Sequence, residues 1–160
     1  MQVLVLYMSR SGNTKKLAEA VAAGVREVEG VGCVLKPVRE VAQGDFLESD
    51  GIIAGSPTYF GAMASELKDV FDRFVAIRSK MGDKIGAAFA TSGDLSGGKE
   101  TTMMSILQAM LIYGMIVVGD PLDATGHYGV SCVGAPDSKT VVNAGKLGKR
   151  VAELVRKLRS

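Results

Sequence analysis

The chain has 160 residues, of which 47% are hydrophobic and 22% charged, with a formal net charge of +2. This is the length of one ordinary domain, read here as residues 1–160, and the balance excludes global disorder. No apolar run reaches the ~18 residues that cross a bilayer, and no long-period repeat is present. Cys33 and Cys132 form no Cys-x-x-Cys pair and His127 is the single histidine, which argues against a disulfide framework or a metal site and fits a reducing cytoplasm.

The N-terminus opens on an apolar run, 2–8, with no basic stretch before it, and reads as a strand rather than a signal peptide. A helical pattern starts at Thr14, with Leu17, Val21, Val25 and Val28 on one face. A second β-type run covers about 32–38, a short turn around Asp45–Ser49 stands in for a helix, and a third run covers 51–55. Met63, Leu67, Val70, Phe71 and Phe74 mark the next helix, and 84–91 the fourth strand. A helix from Lys99 carries Met103, Leu107, Met110 and Leu111, and a fifth strand covers 115–119. The last helix carries Leu147, Val151, Leu154 and Leu158. Residues 139–160 hold seven Lys/Arg against one Glu. That excess reads as the solvated face and basic end of this helix rather than a nucleic-acid site.

Strands alternating with helices imply a mainly parallel five-stranded sheet in a three-layer, doubly wound α/β fold. Ligands in such sheets bind beyond the carboxyl ends of the strands. The loops there carry the distinctive residues. After the first strand comes Ser9-Arg10-Ser11-Gly12-Asn13-Thr14, hydroxyl and amide donors at a helix start, which suits a terminal phosphate monoester. After the third comes Pro57-Thr58-Tyr59-Phe60-Gly61, whose adjacent aromatics suit a flat ring or a lid folded on the helix. After the fourth comes Thr91-Ser92-Gly93-Asp94-Leu95-Ser96-Gly97-Gly98, whose glycines offer N–H groups to a planar ligand edge. Gly93-x-x-x-x-Gly98-Lys99 matches most of a triphosphate loop, but Glu100 stands where that motif needs Ser or Thr for magnesium. A fourth loop, 120–136, holds Asp120, Asp123, His127 and Tyr128.

Taken together these residues resemble the flavodoxin-like superfamily, whose strand order is 2-1-3-4-5. Ser9 to Thr14 matches that family's Thr/Ser-x-Thr/Ser-Gly-x-Thr phosphate loop at each defined position. Pro57 to Met63 and Gly97 to Thr102 are similar to the flavin-ring loops of the tryptophan-repressor-binding-protein-like NAD(P)H:quinone oxidoreductases. Tyr113-Gly114-Met115 and Tyr128-Gly129 have counterparts there too. The chain departs from that branch in a shorter segment between strands two and three, in having no Trp, and in placing Tyr113 where those enzymes have a His near the flavin.

The resemblance implies bound FMN, held by Ser9, Arg10, Ser11, Gly12, Asn13 and Thr14 at the phosphate. Pro57, Thr58, Tyr59, Phe60, Gly61, Thr91, Ser92, Gly93, Asp94, Gly97 and Gly98 frame the ring, and Tyr113, His127 and Tyr128 face the substrate. Flavin N5 carries the chemistry, so no catalytic side chain and no metal is expected. The implied activity is NAD(P)H-dependent reduction of a quinone or similar acceptor, with electron carriage between redox protein partners as the alternative. Flavodoxin carriers are strongly acidic, and a pI near 8.5 does not follow that habit. No nucleic acid and no membrane span is expected, and a homo-oligomer is compatible with the sequence.

Overall fold

The computed structural model describes residues 1–159. Its elements in order are β1 (Gln2–Tyr7), α1 (Asn13–Arg26), β2 (Gly32–Pro37), α2 (Gln43–Glu48), β3 (Gly51–Tyr59), β4 (Ala62–Met63), α3 (Ser65–Arg73), a 3-10 turn (Val75–Lys80), β5 (Ile85–Ser92), α4 (Lys99–Ile112), β6 (Ile116–Val117), β7 (Val130–Val133) and α5 (Ser138–Arg159). The main sheet runs β2-β1-β3-β5-β6, all parallel, which is the expected doubly wound order.

β1, β3 and β5 are central, and their side chains alternate between two cores. Leu4, Leu6, Ile52 and Ala88 face α2, α3 and α4, packing on Phe46, Leu67, Phe71, Met103 and Ile106. Val3, Val5, Ile53 and Phe89 face the other way, onto Leu17 and Val21 of α1 and Leu147 and Val151 of α5. Each such buried Val, Leu, Ile, Met or Phe side chain contributes about 1.5–3 kcal/mol. The helical faces expected around Leu17, Leu67, Met103 and Leu147 are therefore the buried ones. At the end of α5 the pattern fades, and Leu158 is exposed.

Three elements differ from the sequence expectation. Residues 43–48 form a helix, α2, rather than only a turn. The Asp45 carboxylate accepts the Ala42 N–H at 2.8 Å at its start, and the Lys84 ammonium donates to the carbonyls of Phe46, Leu47 and Ser49 at its end. Lys84 comes from the far side of β3, so this cap is invisible locally; burial pushes its pKa down. The third strand continues past residue 55 to Tyr59 and folds back as the hairpin β3–β4.

The fifth strand is split. β6 pairs with β5 only at Ile85 and Gly86, whereas β7 pairs with Phe89 to Ser92. The segment between them is organised by the buried Asp120 carboxylate, which accepts the Thr125, Gly126 and His127 N–H groups and the Thr125 hydroxyl.

The basic excess of α5 lies on its polar face. Lys146 pairs with Asp123 at 3.0 Å, Lys149 with Glu27 at 3.3 Å and Arg159 with Asp50 at 3.2 Å. Among the described residues no helix is long and apolar enough to cross a membrane.

Candidate functional site

Tyr7 of β1, Gly55 of β3, Phe89 of β5 and Val130 of β7 lie level across the sheet, so the loops that follow them meet at one edge. Met8 N–H donates to the Gly55 carbonyl and Gly134 N–H to the Ser92 carbonyl, extending that alignment into the loops.

The first loop wraps the start of α1. Its N-cap is Gly12, with φ of 91°, a left-handed conformation that glycine takes without strain, and no side chain caps the helix. The first-turn N–H groups therefore point out with the positive end of the helix dipole. Ser9 Oγ accepts the Gly12 N–H at 3.1 Å, which curls the loop and leaves its O–H to donate elsewhere. Ser11 is exposed and Asn13 half-buried beside it. Thr14 is the exception in this loop: it is buried, and its hydroxyl pairs with that of Thr91 at 2.8 Å.

Arg10 is held away from the helix start. Its guanidinium bonds Glu66 at 2.8 Å and lies 4.7 Å from the centre of the Tyr59 ring. The Arg10 hydrogen bond in turn keeps the Glu66 carboxyl below its ordinary range. Glu66, on the first turn of α3, was not among the expected site residues; only its position just after the aromatic loop marks it in the sequence.

The second loop is the tip of the β3–β4 hairpin. Thr58 pairs with Met63 and Tyr59 with Ala62, leaving Phe60-Gly61 as a two-residue turn with φ of 51° and 75°. Two positive φ values define a type I′ turn, which favours Asn-Gly. A bulky aromatic there is strained, and such strain clusters at functional positions. The Phe60 ring is nevertheless fully exposed.

The third loop touches the second. A Cβ on Gly98, whose φ is 92°, would lie 3.0 Å from Gly61 Cα, so glycine is required on both counts. The Thr102 hydroxyl donates to the Thr58 hydroxyl at 2.9 Å, and Ser105 Oγ accepts the Met63 N–H at 3.0 Å. Thr102 and Ser105 thus pin the hairpin to α4. They fall outside the expected set because their role exists only once α4 and the hairpin meet. Within the loop, Ser92 Oγ donates to the Asp94 carbonyl, and Asp94 accepts the Ser96 N–H. Gly93, Asp94 and Leu95 are exposed and Gly97 is half-buried. Pro57 is half-buried where β3 leaves the sheet.

The expected substrate-facing residues separate. His127 and Tyr128, both exposed, line a cleft of about 410 Å³ with Glu100 and Met103, beside the start of α4. Tyr113 does not join them. It follows α4, whose 14 residues span about 21 Å. It is buried, stacked edge-on against Phe71, and its hydroxyl donates to the Phe71 carbonyl. Burial pushes its pKa up. It belongs to the core at the amino end of the sheet.

Cys132 is no reactive thiolate, because burial, helped by Asp137, pushes its pKa up to about 11. A cleft of about 710 Å³ lies between α1 and α5, where Lys146 and Lys149 are already neutralised by Asp123 and Glu27.

The donor set at the sheet edge fits a phosphate monoester: an uncapped helix start surrounded by Ser9, Ser11 and Asn13. The exposed Phe60 and the Gly97-Gly98 backbone fit a planar ring beyond it. The residues present are therefore suited to FMN.

Residues 33–128 match the model of the NADPH-dependent FMN reductase family. A flavodoxin of Aquifex aeolicus is 40% identical over 161 residues, covering 96% of this chain and 86% of that protein. An NAD(P)H dehydrogenase (quinone) of Archaeoglobus fulgidus is 35% identical over 189 residues, covering 98% of each. The crystal structure of a WrbA-like flavodoxin from Agrobacterium tumefaciens superposes with a TM-score of 0.83 at 25% identity, covering 98% of each chain. With its doubly wound sheet and its three loops at one edge, the chain belongs to the NADPH-dependent FMN reductase family of flavodoxin-like proteins.

Proposed function

We propose that this protein binds FMN at the carboxyl edge of its sheet and acts as an oxidoreductase, passing electrons from NAD(P)H to a quinone or similar small acceptor. The observation that carries this reading is Phe60, a fully exposed aromatic in a strained backbone, whose turn partner Gly61 packs close to Gly98. The family match and the similarity to the archaeal NAD(P)H dehydrogenase (quinone) support it.

In this reading Ser9, Ser11, Asn13 and the first N–H groups of α1 hold the phosphate. These neutral donors and the helix dipole stabilise its charge without a lysine clamp. Phe60 and the Thr58 to Gly61 turn cover one side of the ring, while Thr91 to Gly98 present N–H groups to its edge. Thr14 acts from behind, fixing α1 to β5 through Thr91. Bound FMN supplies the two-electron redox chemistry. His127 and Tyr128 border the cleft by which a flat acceptor or nicotinamide reaches that edge.

A second reading is electron carriage between protein partners. The 40% identity to a flavodoxin favours it, while the near-neutral charge gives little electrostatic steering toward a basic partner. An anaerobic visible spectrum of the FMN-loaded protein, taken before and after NADPH or NADH, separates the two. Rapid bleaching of the flavin band is expected. A band that persists points to a carrier needing a protein donor, and failure to form a bound-flavin band overturns the FMN assignment.

A further inference from the structure

Arg10 is the one charged residue between Ser9 and Thr14. Its guanidinium is nonetheless engaged outside that loop. It donates to Glu66 Oε1 at 2.8 Å and lies 4.7 Å from the centre of the Tyr59 ring. Glu66 is 56 positions away, on the first turn of α3, where the helix dipole favours a carboxylate. Its second oxygen accepts the Ser65 hydroxyl at 3.0 Å. Ser9, Arg10, Gly12, Lys15, Arg39 and Glu66 line one cleft of about 380 Å³, so the guanidinium and the uncapped start of α1 border the same open space. The other two cations of this cleft pair with acids close by in sequence, Lys15 with Glu19 at 3.9 Å and Arg39 with Glu40 at 3.1 Å. Of the three pairs, only Arg10–Glu66 is made by the tertiary structure.

We propose that Glu66 is a positioning residue that limits the strength of FMN binding by holding the Arg10 guanidinium away from the phosphate. The inference rests on the FMN reading above. A guanidinium forms charge-assisted, often bidentate hydrogen bonds to a phosphate, stronger than those of neutral Ser or Asn donors. Glu66 and the phosphate therefore compete for one guanidinium. Before FMN arrives, two modest attractions act together in favour of Glu66, an exposed ion pair and a cation–π contact. Apparent affinity falls with the fraction of molecules whose Arg10 is free to turn to the helix start. The Arg10 side chain is 59% exposed, so bonding rather than packing restrains it. Direct repulsion between Glu66 and the phosphate would act in the same sense without Arg10, and a double variant separates the two.

Fluorescence titration of the full chain with FMN and, in parallel, with riboflavin tests it. Glu66→Gln should tighten FMN about fivefold and leave riboflavin, which has no phosphate, unchanged. Arg10→Gln alone should weaken FMN by less than about threefold, and Arg10→Gln/Glu66→Gln should match Arg10→Gln. FMN affinity unchanged in Glu66→Gln overturns the inference. Equal tightening for both flavins overturns it as well, because Glu66 would then act through the Tyr59 hairpin. Tightening that persists in the double variant means direct repulsion and also overturns it. If Glu66→Gln disturbs the fold, Arg10→Gln decides: a larger loss of FMN affinity means that Arg10 already holds the phosphate in the parent, against the inference. A parent protein that binds no flavin overturns the FMN reading itself, whereas a parent that binds FMN with no gain in Glu66→Gln overturns only this inference.

Discussion

The hydroxyls of Thr14 and Thr91 lie 2.8 Å apart beneath the site, both buried. They join the first turn of α1 to the end of β5 across the intervening strand β3. Thr91→Val leaves the Thr14 hydroxyl with no partner inside the protein, which costs about 1–3 kcal/mol. The double variant Thr14→Val/Thr91→Val removes both polar groups and should regain most of that loss. Urea unfolding of the three variants reads the coupling directly; strictly additive losses would show that the pair does not act as a unit.

Ser11→Asp places a carboxylate at the uncapped start of α1, where the proposed ligand brings its own negative charge. The same change improves the helix, because an acidic residue at this end favours the dipole. FMN affinity should therefore collapse while thermal stability holds or rises. Fluorescence titration with FMN checks it, and unchanged affinity would remove the phosphate from this loop.

Phe60→Asn exchanges a strained aromatic for the residue a type I′ turn prefers. The flavin-free protein should gain about 0.5–1 kcal/mol. FMN binding should weaken about tenfold through lost stacking of about 1–1.5 kcal/mol. Thermal unfolding without flavin and titration with it should move in opposite directions. A variant that loses stability in the absence of flavin would mean that the ring serves the fold rather than the ligand.

Asp120 sets the acid limit of the 120–129 segment. Burial alone raises its pKa, but the Thr125 hydroxyl and the His127, Thr125 and Gly126 N–H groups outweigh it, so the carboxyl is held below its ordinary range. The unfolded chain then takes up the proton more readily than the folded one. The resulting stabilisation is complete above the unfolded value of about 3.9 and is lost as pH falls through the folded value. Asp120→Asn should cost about 1–3 kcal/mol at neutral pH and flatten the acid limb of stability against pH. Denaturant unfolding across that range checks both; an acid limb as steep as the parent's would place the sensitive carboxyl elsewhere.

Much of this protein is legible one segment at a time. The alternation of Val3, Leu4, Val5 and Leu6 between two cores and the single buried faces of α1 and α5 follow from periodicities of two and 3.6 residues, which are local properties of the chain. The clustering of Ser9 to Thr14, Thr58 to Gly61 and Thr91 to Gly98 at one edge follows from the rule that parallel strands end together. What stayed hidden depends on partners far away in sequence. α2 is closed by Lys84, which arrives from the start of β5. The fifth strand is divided because Asp120 gathers the N–H groups of residues five to seven positions later, and the chain resumes pairing only at Val130. By resemblance Tyr113 stands where the quinone oxidoreductases have a His near the flavin, yet a helix of 14 residues carries it to the other end of the sheet, into the Phe71 cluster. By itself the sequence determined the layers and the edge at which a ligand is met, and its resemblance to flavodoxin-like proteins supplied the strand order. Only the tertiary structure decided which polar groups there remain free to meet it, because a hydroxyl or guanidinium that can bind a ligand can equally bond a neighbour, as Thr14 does with Thr91 and Arg10 with Glu66.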